Sequence, residues 1–230
     1  MENIINNIDD KIVEYKTLFQ KNKKLKITSF LKEQFADALF KNILLEKNWN
    51  LASGIDNKKY EKLASTQNDK INNLQIKNVN NSFGKDHFSY IFYRAMNANK
   101  MSFFEFTLRN MLNSKEFIDK INEITNLNVS RTTTVFLSKY KNGNFLSPHS
   151  DKGNGKIAFV IYLSKFWKPQ YGGVLHFMNE ERTEIIESFV PSFNTLVLFE
   201  VPPENGISHY ISHIAPNVQY SRYAITGWYE

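Results

Sequence analysis

The segment SPHSDKGNG, residues 147–155, places a histidine and an aspartate two positions apart, immediately before a glycine-containing turn. Side chains at positions i and i+2 of a strand point to the same face, so His149 and Asp151 converge if this segment ends a strand. An imidazole and a carboxylate that converge are suited to hold a divalent metal ion. The alternative interpretation is a solvated polar turn in which the aspartate only caps the backbone.

A metal held here needs at least one further ligand from a distant strand. The chain has five histidines, and three of them follow Asp151: His176, His209 and His213. It has no cysteine, which excludes disulfides, zinc fingers and thiolate nucleophiles and restricts the ligands to histidine and carboxylate. Two histidines and one carboxylate on one face of an octahedron leave three positions open, an arrangement that favours non-haem Fe(II) over zinc.

Arg222 begins the segment RYAITGWY, whose β-branched and aromatic residues predict a strand. Alternation places Arg222, Thr226 and Trp228 on one face of it. An arginine that points inward requires an anion, and the planar guanidinium suits a carboxylate, so this residue predicts a carboxylate-bearing cosubstrate. The alternative is a surface arginine on an edge strand.

Strand alternation does not distinguish His209 from His213, because they lie four residues apart. The spacing of nine residues between His213 and Arg222 favours His213 as the third ligand. His176 belongs to a different predicted strand, and we expect it to be a hydrogen-bonded or partly exposed histidine that binds no metal.

The 230 residues are 42% hydrophobic and 14% aromatic, which is enough for one substantial core. Segment 26–49 predicts a short strand followed by a helix, and segment 103–124 predicts helices with a break near Asn113–Ser114. Beyond residue 128, short β-branched or aromatic segments are separated by Gly, Pro and Asn, a pattern typical of an antiparallel jelly roll.

These patterns predict an α+β fold with a double-stranded β-helix core, a cupin-like jelly roll, and N-terminal supporting helices. We assign residues 1–127 to a helical and strand support region and residues 128–230 to the jelly-roll core, together forming one globular domain. Within the support region, the Asn-rich segment at about 57–81 predicts a mobile loop, which is a candidate lid over a polypeptide.

The formal charge of +6 is carried mainly by scattered lysines, and we do not expect nucleic acid as a partner. There is no apolar run long enough to span a bilayer, and the N-terminal residues lack the pattern of a signal peptide. We therefore expect a soluble, cytoplasmic protein without a membrane partner.

Six segments occur in a characteristic order: SKYKNGNF, PHSD, VIYLSKFW, YGGVLHF, NTLVLFE and SHIAPNVQYSRYAITGWY. In this order they resemble the prolyl-hydroxylase-type 2-oxoglutarate and Fe(II)-dependent dioxygenases, which include prolyl 4-hydroxylases and the oxygen-sensing and ribosomal prolyl hydroxylases. The resemblance covers roughly residues 128–229.

The resemblance implies a role for each matching residue. It implies that Fe(2+) is held by His149, Asp151 and His213, and that Arg222 binds the distal carboxylate of 2-oxoglutarate. It further implies that Tyr162 bonds the same carboxylate, Tyr140 and Leu175 line the pocket, Thr226 supports the carboxylate and Trp228 shapes the substrate side.

The resemblance also implies an enzyme of the procollagen-proline or peptidyl-prolyl hydroxylase type. Such an enzyme hydroxylates a prolyl residue in a polypeptide, consumes O2, releases succinate and CO2, and uses L-ascorbate as a reductant. The alternatives are an oxygenase for a lysyl residue, a free amino acid or a nucleic-acid base, and a catalytically inactive binding scaffold. Nucleic-acid dealkylating oxygenases typically carry a second arginine six residues after the first, where this chain has Trp228.

Overall fold

The computed structural model describes residues 4–56, 58–63, 69–95, 101–204 and 206–230. Five α-helices lie in these ranges: α1 (Ile12–Asn22), α2 (Glu33–Leu45), α3 (Asp69–Phe83), α4 (Phe103–Leu112) and α5 (Lys115–Thr125). None of the helices in the described part of the chain has the length and apolar character needed to cross a membrane.

Twelve strands lie in the same ranges. They are β1 (Lys24–Thr28), β2 (Asn50–Ile55), β3 (Lys58–Leu63), β4 (Ser89–Ala95), β5 (Thr132–Tyr140), β6 (Phe145–His149), β7 (Ile157–Tyr162), β8 (Leu175–Met178), β9 (Ile185–Phe189), β10 (Thr195–Glu200), β11 (His209–Ile211) and β12 (Arg222–Tyr229). The strands pair antiparallel in the order β1-β10-β7-β12-β5-β4-β6-β11-β8-β9, and β2 joins β4 to β3.

Strand β7 separates two hydrophobic cores, which explains its unbroken apolar sequence IAFVIY. Ile157, Phe159 and Ile161 belong to the large core that also contains residues of the helices. The alternate residues Ala158, Val160 and Tyr162 face the interior of the barrel-like sheet. The helices therefore pack on the outer side of the sheet and leave its inner side to the functional site.

Helices α4 and α5 follow the predicted pattern, including the break between them. Ser114 is the N-cap of α5, and its hydroxyl accepts a hydrogen bond from the backbone N–H of Phe117 at 3.3 Å. Phe117, Ile121 and Ile124 are buried along one face of this helix and join the outer core. Local capping and periodicity therefore determine this part of the chain.

The Asn-rich segment differs from the sequence prediction of a mobile loop over residues 57–81. The structure forms strand β3 and helix α3 there, while residue 57 and residues 64–68 lie outside the described residues. The reason is a short apolar face on α3: Val79 is buried, and Ile76 is partly buried, against Leu51, Ile91 and Phe145. The sequence prediction missed this helix because most of its residues are polar and only these two positions pack against the sheet.

Candidate metal and cosubstrate site

Three side chains capable of binding a metal meet where strands β6 and β11 lie side by side. His149 ends β6, His209 begins β11, and the two residues are cross-strand partners whose ring centroids lie 4.3 Å apart. Asp151 follows two residues after the end of β6. Its Oδ1 lies 3.4 Å from Nε2 of His149, and its Oδ2 lies 3.5 Å from Nε2 of His209. One ligand atom from each residue lies within 4.8 Å of the others.

A backbone carbonyl lies beside Nδ1 of each imidazole. Nδ1 of His149 lies 3.0 Å from the carbonyl oxygen of Ser147, and Nδ1 of His209 lies 2.9 Å from that of Ile207. When Nδ1 carries the proton and donates to the carbonyl, the lone pair of Nε2 is directed at the aspartate. In that tautomer each ring directs an Nε2 ligand atom to the centre of the cluster.

The cluster is buried and strongly coupled electrostatically. Burial tends to raise the pKa of Asp151, but hydrogen bonds and charge from His149 and His209 outweigh it and leave this pKa far below its usual value. Burial, reinforced by the charge of His209, lowers the pKa of His149 despite the neighbouring carboxylate. One carboxylate beside two imidazoles is the donor set of an Fe(II) site with two histidines and one carboxylate.

His213, the predicted third ligand, does not lie in this cluster. Its ring stacks on Phe145 at 4.1 Å and meets the edge of Phe83 at 4.7 Å, on the side of the sheet that helix α3 covers. The register of β11 against β6 shifts between His209 and Ile211. Strand alternation would place His209 and His213 on the same face, but it does not continue past this irregularity.

After the register shift the chain is anchored by backbone hydrogen bonds outside the named strands. The N–H of Ile214 donates to the carbonyl of Asn144 at 3.0 Å, and the N–H of Gly143 donates to the carbonyl of Ile214 at 2.9 Å. The N–H of Ala215 donates to the carbonyl of Tyr171 at 3.0 Å. We call residues 212–221, which connect β11 to β12, the connecting loop; its first half is fixed by these bonds.

Arg222 lies on the inner side of β12 and is 1% exposed. Its guanidinium carbon lies 4.8 Å from the ring centroid of Tyr140, its cross-strand partner, and 5.1 Å from that of Tyr162. None of the ion pairs formed by the described residues includes Arg222. The Nε of Arg222 and the hydroxyl of Tyr162 are both buried without a hydrogen-bond partner. A buried guanidinium without an anionic partner, beside a hydroxyl without an acceptor, fits an anionic ligand with acceptor atoms.

The tyrosines beside Arg222 remain neutral hydrogen-bond donors. Burial raises the pKa of Tyr140 well above its usual value, although the charge of Arg222 opposes the increase. Burial likewise raises the pKa of Tyr162, and Arg222 again acts in the opposite direction. A positive guanidinium and two neutral phenols form a pocket whose chemistry fits a carboxylate.

Three other predicted residues lie on the inner side of the sheet. Leu175 is buried in the inner core together with Tyr162. Thr226 lies on β12 opposite Val160 and is partly exposed. The ring of Trp228 packs against Phe136 at 6.1 Å, and its Nε1 is buried without a hydrogen-bond partner.

The glycine pair before β8 brings the backbone close to the site. Both residues have positive φ angles, 75° at Gly172 and 64° at Gly173. A Cβ atom on Gly173 would lie 2.8 Å from Cδ of Arg222, and one on Gly172 would lie 1.9 Å from the carbonyl oxygen of His213. Glycine is therefore needed twice, for backbone conformation and for space beside the arginine.

His176 lies on the outer side of the sheet and is remote from the cluster. Its ring stacks on Tyr210 at 4.7 Å, and its Nδ1 lies 2.7 Å from the hydroxyl oxygen of Ser188.

Two features that sequence reasoning did not assign to the site are His209 and the inward aromatic side chains of β4. The alternating aromatic residues in HFSYIFYRA were a signal for a strand, but they did not indicate which face would meet the site.

The part of the chain that carries these candidate ligands matches a known family model. Residues 135–230 match the family model of the 2OG-Fe(II) oxygenase superfamily. The resemblance to prolyl-hydroxylase-type 2-oxoglutarate and Fe(II)-dependent oxygenases that the motifs predicted is confirmed, as is the α+β jelly-roll fold.

Individual relatives have the following names and extents of similarity. The chain is 29% identical over 120 residues to the prolyl 3-hydroxylase OGFOD1 of Mus musculus, covering 50% of this chain and 22% of the relative. It is therefore similar to less than a quarter of that relative's length.

Two solved structures share the fold over almost the whole chain. A prolyl-4-hydroxylase of Pseudomonas putida superposes with a TM-score of 0.65 at 14% identity, covering 95% of this chain and 98% of that one. A Trichoplax adhaerens prolyl hydroxylase, solved with a peptide fragment of the hypoxia inducible factor oxygen degradation domain, gives a TM-score of 0.60 at 16% identity, with coverages of 97% and 94%.

Proposed function

We propose that the protein is a 2-oxoglutarate- and Fe(II)-dependent dioxygenase that hydroxylates a prolyl residue in a polypeptide. The observation that carries this proposal is the cluster of His149, Asp151 and His209 on the same inner face as a buried Arg222 that has no anionic partner. In this proposal residues 128–230 form the catalytic core and residues 1–127 support it.

The donor set and the pocket fit the two groups that this chemistry requires. Nε2 of His149, a carboxylate oxygen of Asp151 and Nε2 of His209 would hold Fe(II), and Arg222 with the Tyr162 hydroxyl would bind the distal carboxylate of 2-oxoglutarate. When bound, iron and 2-oxoglutarate together supply the oxidation that turns a C–H bond into C–OH while O2 is consumed and succinate and CO2 are released. L-ascorbate would serve as the external reductant.

The chain's own contribution is orientation in a site shielded from water. The carbonyls of Ser147 and Ile207 fix the two imidazole rings, so the ligand nitrogens are in place before a metal arrives. Arg222 and Tyr162 fix one end of the cosubstrate, so its other end can reach only one part of the site. The unpartnered Nε1 of Trp228 offers a donor that would bond the cosubstrate or the polypeptide at the inner wall.

The proposal assigns the third ligand to His209 instead of His213. Nε2 of His209 lies 3.5 Å from Asp151, whereas the ring of His213 is held between Phe145 and Phe83. The nine-residue spacing between His213 and Arg222 favoured His213. The residues between these two positions belong to the connecting loop, so their number does not follow from strand geometry. A histidine on a strand, with its ring oriented by a carbonyl, is the better ligand.

A prolyl substrate is supported by the names of the relatives: the mouse relative is a prolyl 3-hydroxylase, and the Trichoplax adhaerens structure contains a peptide. A nucleic-acid substrate is not favoured, because the position six residues after Arg222 is Trp228 instead of a second arginine.

The test measures succinate formation by anaerobically purified protein supplied with Fe(II), 2-oxoglutarate, L-ascorbate and air. We expect slow turnover without peptide and faster turnover with members of a synthetic library of short peptides, each carrying one central proline. Mass spectrometry should find an added oxygen on the proline of the stimulating peptides. Wild-type protein that neither binds 2-oxoglutarate nor forms succinate would refute the proposal.

A further inference from the structure

Strand β4 and the residue before it carry a row of aromatic side chains that lies along the inner side of the sheet. We call Phe88, Tyr90 and Phe92 the aromatic row. The ring of Phe88 lies 5.8 Å from the ring of His149, and the ring of Tyr90 lies 5.7 Å from each of its two neighbours in the row. Residues at alternate positions share one face of a strand, so the three rings form one continuous surface.

The aromatic row links the metal cluster to the cosubstrate pocket. Its last member, Phe92, stacks on Tyr140 at 4.9 Å with ring planes only 6° apart. Phe92 is buried, whereas Phe88 and Tyr90 are only partly buried. The ring surface that remains accessible is therefore found beside His149, at the part of the site where a macromolecule could approach.

The position of the Tyr90 ring depends on a glycine in the neighbouring strand. Gly54 of β2 is the cross-strand partner of Tyr90. A Cβ atom on Gly54 would lie 2.4 Å from Cε1 of Tyr90 and 2.9 Å from its hydroxyl oxygen. The ring thus occupies the space above the β2 backbone that only a residue without a side chain leaves free. The row has a definite geometry that a single methyl group would change.

We propose that Phe88 and Tyr90 form the substrate-binding wall of the site and that Tyr90 is a specificity-determining residue. In this inference, which rests on the proposed function, the wall packs against the pyrrolidine ring of the target proline and the residue next to it in the polypeptide. Phe88 is adjacent to the metal ligand His149, so the target residue lies against Phe88 and its neighbour against Tyr90. Flat aromatic faces suit the apolar C–H surface of a proline and bury it without needing a hydrogen bond.

The test compares peptide binding by the wild type with peptide binding by three single-residue variants. Tyr90→Ala removes the ring, Tyr90→Phe keeps it, and Gly54→Ala keeps it but forces it to move. Gly54 has no positive φ angle, so alanine is compatible with its backbone conformation. Phe106→Ala serves as the control, because it removes a ring that is 56% exposed on α4, outside the site.

Binding is measured by fluorescence anisotropy of a labelled proline-containing peptide, selected as the one that most stimulates the wild type. The protein is loaded with Mn(II) and 2-oxoglutarate, so no turnover interferes. We expect Tyr90→Ala to raise the Kd about tenfold and Gly54→Ala about threefold, in line with the loss or displacement of one aromatic contact. Tyr90→Phe and Phe106→Ala should stay within about twofold of the wild type.

Succinate formation without peptide distinguishes this inference from the proposed function. An increase in Tm on loading with Mn(II) and 2-oxoglutarate shows that each variant is folded and loaded, and we expect the control Phe106→Ala to retain the wild-type rate of the uncoupled reaction. If the wild type hydroxylates the peptide and Tyr90→Ala binds it with unchanged affinity, the inference is overturned and the proposed function remains intact. A wild type without peptide-stimulated turnover would overturn both.

Discussion

Strands β5, β11 and β12 carry polar residues on both faces, but the surroundings of these residues differ between the inner and the outer face. At three pairs of adjacent positions, the inner residue belongs to the candidate site and the outer residue does not: Tyr140 and Lys139, His209 and Tyr210, Arg222 and Tyr223. On the outer face, Nζ of Lys139 lies 4.6 Å from the ring centroid of Trp49 and 5.5 Å from that of Tyr93. This amine is only half-buried, so solvent and aromatic rings both stabilise its charge.

On the inner face, Arg222 is fully buried and its Nε has no hydrogen-bond partner. The same strands therefore carry one half-exposed cation that reaches solvent and one fully buried cation that has no anionic partner. We infer that the absence of a hydrogen-bond or ionic partner for a buried polar group, more than its charge, identifies a ligand-binding position. Four predictions test this contrast.

The largest effect should distinguish His209 in β11 from His213 in the connecting loop. His209→Ala removes a ligand atom from the cluster, and we expect it to lower succinate formation more than about 100-fold, since even outer partners of metal ligands cost about 10- to 100-fold. His213→Ala removes only a ring stacked on Phe145 and should stay within about threefold of the wild type. Iron content after anaerobic loading, measured by mass spectrometry, provides the second readout. Equal losses in both variants would contradict the assignment of His209.

Arg222→Met should raise the KM for 2-oxoglutarate by about 30-fold or more. Removing one partner of a buried charge pair costs about 2–5 kcal/mol, and here that pair forms only with the cosubstrate. Iron binding should be unchanged, because Arg222 is not one of the three side chains proposed to bind the metal. An unaltered KM would show that the cosubstrate carboxylate binds elsewhere.

Ligand binding should stabilise the wild type measurably. Mn(II) and 2-oxoglutarate, each at about 100 times its Kd, each contribute about 2.7 kcal/mol, which corresponds to an increase in Tm of about 5 °C or more per ligand for a protein of this size. Differential scanning fluorimetry should detect this increase in the wild type, a metal-only increase in Arg222→Met and almost none in His209→Ala. A full 2-oxoglutarate effect in Arg222→Met would contradict the proposed carboxylate site.

The smallest effect concerns the outer cation. Burial, together with the charge of Lys141, lowers the pKa of Lys139 from 10.5 to about 8. The unfolded chain therefore binds more protons between about pH 8 and pH 10.5, and the free energy of unfolding should rise with pH across that window. Lys139→Met should remove this dependence and stabilise the protein by about 1 kcal/mol at pH 7, a value reduced for solvent screening of a half-exposed amine.

Urea denaturation of wild type and Lys139→Met at several pH values checks this expectation. Lys26→Met serves as the control, because Lys26 is exposed on β1 and its removal should leave the pH dependence of the wild type. Parallel stability curves for the wild type and Lys139→Met would show that the aromatic rings compensate the buried charge completely.

Much of the fold was predictable because its signals are local. The break before α5 follows from the cap at Ser114, and alternation along RYAITGWY placed Arg222 and Trp228 on one face. The pairing of His149 with Asp151 follows from two-residue spacing at a strand end. Features that depend on a single backbone irregularity or on distant packing were not predictable.

The choice between His209 and His213 is of the second kind. It depends on a register shift within β11, which leaves no mark in the residue types. Helix α3 is another case, because only Val79 and Ile76 among many polar residues contact the sheet. The inward direction of the aromatic row likewise depends on which strands β4 joins, and that is decided by pairing with residues far away in the sequence.

The anchoring of the connecting loop has a consequence for insertions and deletions. Its first half is tied to Asn144 and Tyr171 through the backbone of Ile214 and Ala215, and its far end enters β12 at Arg222. Residues 216, 217, 219 and 220 between these ties are exposed, so the chain can be lengthened there at a cost of about 0.6 kcal/mol for each doubling of loop length. The number of residues between His209 and Arg222 can therefore change while both side chains keep their places.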